Sequence, residues 1–312
     1  MNSAKSSVLK KVAASLLASM MLFGVVTGCS SKDTPSTSGD NGLPEAPHSE
    51  VPLPTTKVKS KKVNYDEMVK LMEADQKVNE NVVAYLNVPG TNVQMPILHN
   101  AAEDNNYYID RKLDGSIAGA NYNNIVETVV YAEQRTNFAE DVLNGSANYV
   151  LFGHNWNNIR PPYAIGDDGT DKYTMFAQLP SFTDKEFAEN NPYIYLSTPD
   201  NEMIFKIFAV FYSEDDWAVN DGVTFNYIDP NLTSAQKSTF YGESVTRSMW
   251  NYSDVDLAPS DIFVTLSTCT REFDVGGEQR FVVVGRMLRE GEDDTADTTT
   301  VLENIDFVQP NF

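Results

Sequence analysis

Three side chains in this sequence are of types that can carry acyl-transfer chemistry: Cys269, His154 and Arg280. Cys269 closes the apolar run Val264-Thr265-Leu266-Ser267-Thr268, and Arg280 opens the run Phe281-Val282-Val283-Val284. His154 follows Asn148-Tyr149-Val150-Leu151-Phe152, with Gly153 giving the backbone room just before it. A thiolate can attack a carbonyl, an imidazolium can protonate the leaving amine, and a guanidinium can stabilise the oxyanion. A free thiol with a pKa near ~8.5 is mostly protonated at neutral pH, so neighbouring cations must raise its thiolate fraction. Each residue also has a plainer reading. Cys269 can be a small core residue, His154 a hydrogen-bonded structural histidine, and Arg280 a surface partner of Asp274 or Glu278.

The elements needed to bring these groups together read mainly as strands. Val82 to Val88 ends in the turn signal Pro89-Gly90-Thr91-Asn92, after which Val93 to Leu98 runs on. Tyr193 to Ser197 and Met203 to Tyr212 read as a hairpin around Thr198-Pro199-Asp200-Asn201. Asn148 to Phe152, Ile262 to Ser267 and Arg280 to Leu288 are further strand candidates. The last two are separated by a polar loop containing Gly276-Gly277, and pairing through it would set Arg280 beside the thiol. A helix is expected from Asn64 to Asn79, capped by Asn64, with Met68, Leu71, Met72 and Val78 on one face. A second is expected between Asp229 and Trp250. Short strands, many turns and a few outer helices point to a closed or nearly closed barrel, which leaves no exposed strand edges.

The first 28 residues read as targeting. Lys5, Lys10 and Lys11 precede an apolar stretch, Val12 to Val26, that is short for a membrane span of about 20 residues. The run Val26-Thr27-Gly28-Cys29 resembles a bacterial lipobox, which implies cleavage before Cys29, lipid on its thiol and an acylated amino group. Two or more acyl chains give stable anchoring. The alternative is an uncleaved signal anchor with Cys29 incidental. Residues 29–62 are poor in large apolar side chains and are expected to be a flexible tether carrying an inert His48. Residues 291–312 are expected to be an acidic tail, leaving 63–290 as the folded domain. With Cys29 assigned to lipid, Cys269 has no disulfide partner, since the chain has two cysteines.

The formal net charge is −21, and losing the three leader lysines takes it to about −24. Such a balance argues against nucleic acid, whose phosphates call for basic patches. The acids are spread along the chain, as on a solvated surface. No metal-ligand spacing or phosphate loop is present, and His99 reads as structural.

Thr265-Leu266-Ser267-Thr268-Cys269 with Arg280-Phe281-Val282-Val283-Val284 resembles the active-site strands of sortases, specifically class B. Gly153-His154-Asn155 resembles their histidine segment. Asn87 to Val93 and Met95-Pro96-Ile97 look like early strands of the sortase barrel, Asn105 to Ile109 like the segment lining its substrate groove, and Met175-Phe176 with Leu179 like the stretch after the histidine. The resemblance covers about residues 64 to 289. It implies a closed β-barrel of about eight strands, with an N-terminal helix and a helix inserted before the cysteine strand.

It also implies a transpeptidase on the outer face of a Gram-positive membrane. Such an enzyme cleaves a C-terminal sorting signal of an exported protein, holds the product as a thioester on Cys269, and passes it to a peptidoglycan amine. His154 would be general acid and then base. Arg280 would bind substrate backbone and oxyanion. Asn105, Ile109, Phe152 and Thr268 would touch the peptide, and no cofactor is implied. In this family the thiolate–imidazolium pair is often a minor population. The chain departs from the family pattern in its lipobox and in insertions at 120–147 and 157–173, the second being a lid, a specificity wall or a passive loop. A cysteine endopeptidase using water, or a binding lipoprotein on the same barrel, are the competing readings.

Overall fold

The computed structural model describes residues 51–119, 126–166, 169–214, 225–273 and 279–310. The leader and lipobox Cys29 lie outside them, as do Asp274 and Glu278. Eight strands close into a barrel: β1 (Val82–Val88), β2 (Val93–Leu98), β3 (Val130–Ala132), β4 (Asn148–Phe152), β5 (Tyr193–Ser197), β6 (Glu202–Glu214), β8 (Phe263–Thr270) and β9 (Gln279–Met287). Their order around the barrel is β1-β2-β3-β4-β8-β9-β6-β5, and β5 pairs with β1 to close it. A separate pair joins β7 (Trp250–Tyr252) to β10 (Val301–Glu303). Among the described residues three α-helices are added: α1 (Tyr65–Gln76), α2 (Lys185–Asn190) and α3 (Ser234–Arg247).

The two-residue period of a strand explains how one sheet serves two cores. Ala84, Leu86 and Val88 of β1, Val264 and Leu266 of β8, and Phe281 and Val283 of β9 belong to the interior cluster. Their neighbours Phe263, Val282 and Val284 point outward and pack with Phe225, Tyr227 and Phe240 beside α3. On the other side, Met68 and Met72 of α1 cover Tyr85, Leu98 and Tyr131. Both faces of most strands are therefore buried, which is why their sequences run apolar without clean alternation.

The helix caps match the sequence signals. Asn64 accepts from the Glu67 N–H at the start of α1. Thr233 and Gln236 form a reciprocal capping box at the start of α3. Val78, placed on the apolar face of the first helix from spacing, falls beyond its end and is 55% exposed. Short strands β3, β7 and β10 carry too few residues for a periodic signal.

Two corrections concern the segments flanking the domain. The expected tether does not run free to residue 62: Pro54 bridges Arg289, and the Thr55 N–H donates to the Leu288 carbonyl. The acidic stretch after residue 290 is likewise packed. Asp294 is fully buried and accepts from Ser60 Oγ at 2.6 Å and Tyr195 Oη at 3.2 Å. Glu292 pairs with the buried Arg286, and Val301 is buried in β10. These acids have specific donors, so composition misread them as solvated. No helix of the described residues is long and apolar enough to cross a membrane.

Candidate functional site

Cys269 lies within β8 rather than after it, because pairing with β9 continues past the thiol: Cys269 opposes Arg280, and Thr270 opposes Gln279. Directly opposed residues of a ladder project from the same face. Here that face is the outer one, since Leu266 and Phe281 point inward. On the other flank, β4 runs parallel to β8 with Phe152 opposite Ser267. The Gly153 N–H then donates to the Ser267 carbonyl at 3.3 Å, and Thr268 Oγ1 donates to the Gly153 carbonyl at 2.6 Å. These bonds carry His154 to the level of the thiol.

The result is one cavity of about 280 Å³ lined by His154, Cys269 and Arg280 together. Asn105, Ile109, Phe152 and Thr268, the groove residues expected from sequence, line it as well. Cys269 is a free, partly exposed thiol. Asn105 is held in place by the Gln134 N–H, which donates to its Oδ1 at 2.7 Å. His99 bonds the Gln134 carbonyl through Nε2 and sits away from this cavity lining, in keeping with a structural role.

The imidazole of His154 has a defined tautomer and a biased charge. Its Nε2 donates to the Ile109 carbonyl, so Nδ1 is the nitrogen left to exchange a proton. Burial lowers the imidazole pKa, the Ile109 hydrogen bond opposes that, and the Arg280 charge lowers it further. A neutral ring is favoured at rest. The Trp156 ring flanks it at 5.7 Å between centroids.

Three lining residues were not singled out from sequence: Tyr131, Tyr227 and Ile228. Tyr227 and Ile228 stand just ahead of Asp229-Pro230, where the helix signal begins, and an aromatic–aliphatic pair at that junction was the available clue. A buried polar chain fixes Tyr227. Thr265 Oγ1 donates to Asn148 Oδ1 at 2.8 Å, Asn148 Nδ2 donates to the Tyr227 carbonyl at 3.2 Å, and Tyr227 Oη lies 3.2 Å from Ser267 Oγ.

A thiol, an imidazole and a guanidinium facing one cleft at strand ends define a site equipped for cysteine-based acyl transfer. The sortase domain family matches residues 86–288, and the chain belongs to that family. It is 25% identical over 215 residues to sortase B of Listeria monocytogenes, covering 68% of this chain and 72% of that one. Sortase B of Staphylococcus aureus is 22% identical over 218 residues, covering 70% and 74%. The solved Clostridium perfringens sortase B superposes with a TM-score of 0.54 at 22% identity, over 69% of this chain and 98% of that one. A Staphylococcus aureus sortase B–substrate complex gives 0.53 at 21% identity, over 73% and 89%. A sortase B complexed with triglycine gives 0.53 at 20%, over 72% and 90%. These relatives support class B and a sortase-type cysteine transpeptidase. The packed segment after residue 290 lies outside the family match.

Proposed function

We propose that the protein is a lipid-anchored transpeptidase on the outer face of the membrane that joins an exported protein to a cell-wall amine through a thioester on Cys269. The observation that carries this reading is the opposition of Cys269 and Arg280 in a cleft shared with His154. In the first half-reaction His154 Nδ1 takes the thiol proton and Sγ attacks the scissile carbonyl. Arg280 stabilises the oxyanion, and the imidazolium returns the proton to the leaving amine as the peptide bond breaks. In the second half-reaction an amine attacks the thioester, His154 receives its proton, and the thiol is restored.

The substrate and triglycine complexes of related sortase B proteins support a peptide donor and an amine acceptor. Asn105, Ile109, Phe152 and Thr268 would contact the donor peptide. Anchoring rests on the lipobox at Cys29 and places the catalytic domain outside the membrane.

The test is product analysis by mass spectrometry after incubation with sorting-signal peptides, with and without a cross-bridge amine. An adduct on Cys269 and an amine-dependent ligation product are expected. Hydrolysis that no amine diverts would overturn transpeptidation, and turnover retained in Cys269→Ala would overturn the thioester. For the anchor, the mature chain should begin at a lipid-modified Cys29 and partition into detergent. Cys29→Ala should abolish that partitioning, and an unmodified Cys29 would overturn the lipid anchor.

A further inference from the structure

The residue after the histidine has a contact that none of the chemistry above uses. Asn155 is 4% exposed. Its Nδ2 donates to the carbonyl of Cys269 at 3.1 Å and to the carbonyl of Asn158 at 3.0 Å, while its Oδ1 accepts from the Asn158 N–H at 3.0 Å. One amide group thus uses both donors and its acceptor, and one of those bonds goes to the main chain of Cys269 itself. Asn158 repeats the pattern on Ala164, giving Nδ2 to its carbonyl at 3.2 Å and accepting its N–H at 2.8 Å. The Arg271 N–H donates to the Ile159 carbonyl at 2.7 Å, and Thr270 Oγ1 donates to the same carbonyl at 3.3 Å. The inserted loop after the histidine is therefore bonded to the end of β8 beside the Asn155 contact.

We infer that Asn155 is a positioning residue that locks the end of the cysteine strand to the histidine segment, with the inserted loop as its brace. The physical reason lies in where ladder bonding ends. Among the described strand pairings, β4 matches β8 only as far as Phe152 with Ser267, with Gly153 adding one bond. Cys269 lies two residues beyond Ser267, where the β4 side offers no strand partner, and the Asn155 amide supplies the missing donor to its carbonyl. A buried amide left without its acceptor is costly, so the bond of the buried Asn155 resists movement of Cys269 relative to the neighbouring His154. The same bonds hold the described loop residues Asn158, Ile159 and Ala164 as a fixed wall beside the end of β8.

This inference rests on the proposed chemistry for its rate readout but not for its structural one. Asn155→Asp keeps the size and the acceptor for the Asn158 N–H but loses the donor to Cys269. It should lower the rate of thioester formation by about tenfold or more, leave KM for the peptide within about twofold, and shift the pH profile of kcat/KM. Asn155→Ala should do the same or more. In the wild-type protein, the Asn155 side-chain amide protons should be protected from solvent exchange by NMR. They should also change shift when Cys269 is alkylated with iodoacetamide. Wild-type acylation by a folded Asn155→Asp protein, or exchange of those protons at solvent rates, would overturn the assignment. If the wild-type enzyme cleaves no sorting peptide, the proposed function fails, while exchange and alkylation still decide the role of Asn155.

Discussion

Cys269 and Arg280 are directly opposed residues of the β8–β9 ladder, so sheet geometry sends both side chains to the same face. Strand pairing on both sides of the contact, Thr268 with Phe281 and Thr270 with Gln279, fixes the register. A one-residue slip would send one of the two groups into the barrel interior.

Arg280→Ala should therefore lower kcat/KM by roughly 10²–10³, the usual cost of an oxyanion donor. Arg280→Lys should recover only part, because an ammonium lacks the planar fork. Steady-state kinetics on a sorting peptide check this, and full recovery by lysine would mean that charge alone suffices.

Burial and the Arg280 charge hold the His154 imidazole below its ordinary pKa. The folded state then binds fewer protons near ~6.5 than the unfolded chain does. His154 thus contributes stability above that pH, and the contribution is lost as pH falls toward the lower folded value. Titration by NMR should give a midpoint below ~6.5. Arg280→Met should raise the midpoint without restoring the ordinary value, since burial is the larger cause. A midpoint unaffected by the substitution would contradict the electrostatic coupling.

Gly153 has no room for a methyl group. A Cβ there would stand 2.9 Å from Cγ of Phe176 and 3.0 Å from Cγ2 of Val130. Gly153→Ala should lower stability by about 1–3 kcal/mol. It should also reduce kcat, because the strain is relieved by moving His154. Denaturant unfolding and kinetics on the folded fraction test the two effects separately.

Asp294 ties the N-terminal and C-terminal flanking segments together through Ser60, Lys61 and Tyr195. Asp294→Ala leaves those donors without their acceptor and should cost about 1–3 kcal/mol. Turnover per folded molecule should stay near wild type. A melting temperature unchanged by the substitution would show that the strap adds nothing to stability.

Much of the barrel was legible because its strands are long enough to carry a signal. β1, β2, β4 and β5 have the bounds expected from apolar runs and turn residues. Strands of three residues, such as β3 and β10, hold no period to read and form because neighbouring strands supply donors and acceptors. The acidic stretch after 290 was misread for a related reason. Composition records the charges of Glu292 and Asp294 but not the Arg286, Ser60 and Tyr195 groups that meet them from other parts of the chain.

The sequence by itself determined which groups could react and the strand runs that carry them: a thiol with no disulfide partner once Cys29 is assigned to lipid, a histidine after a glycine, and an arginine opening an apolar strand. Local chemistry is enough for that, because side-chain type and strand period are properties of neighbours along the chain. Only the tertiary structure decided that Cys269 faces Arg280, that the Ile109 carbonyl selects the tautomer of His154, and that Asn155 reaches the Cys269 carbonyl. Those contacts join residues 11, 45 and 114 positions apart. They depend on register and barrel closure, which emerge only when the whole sheet is assembled.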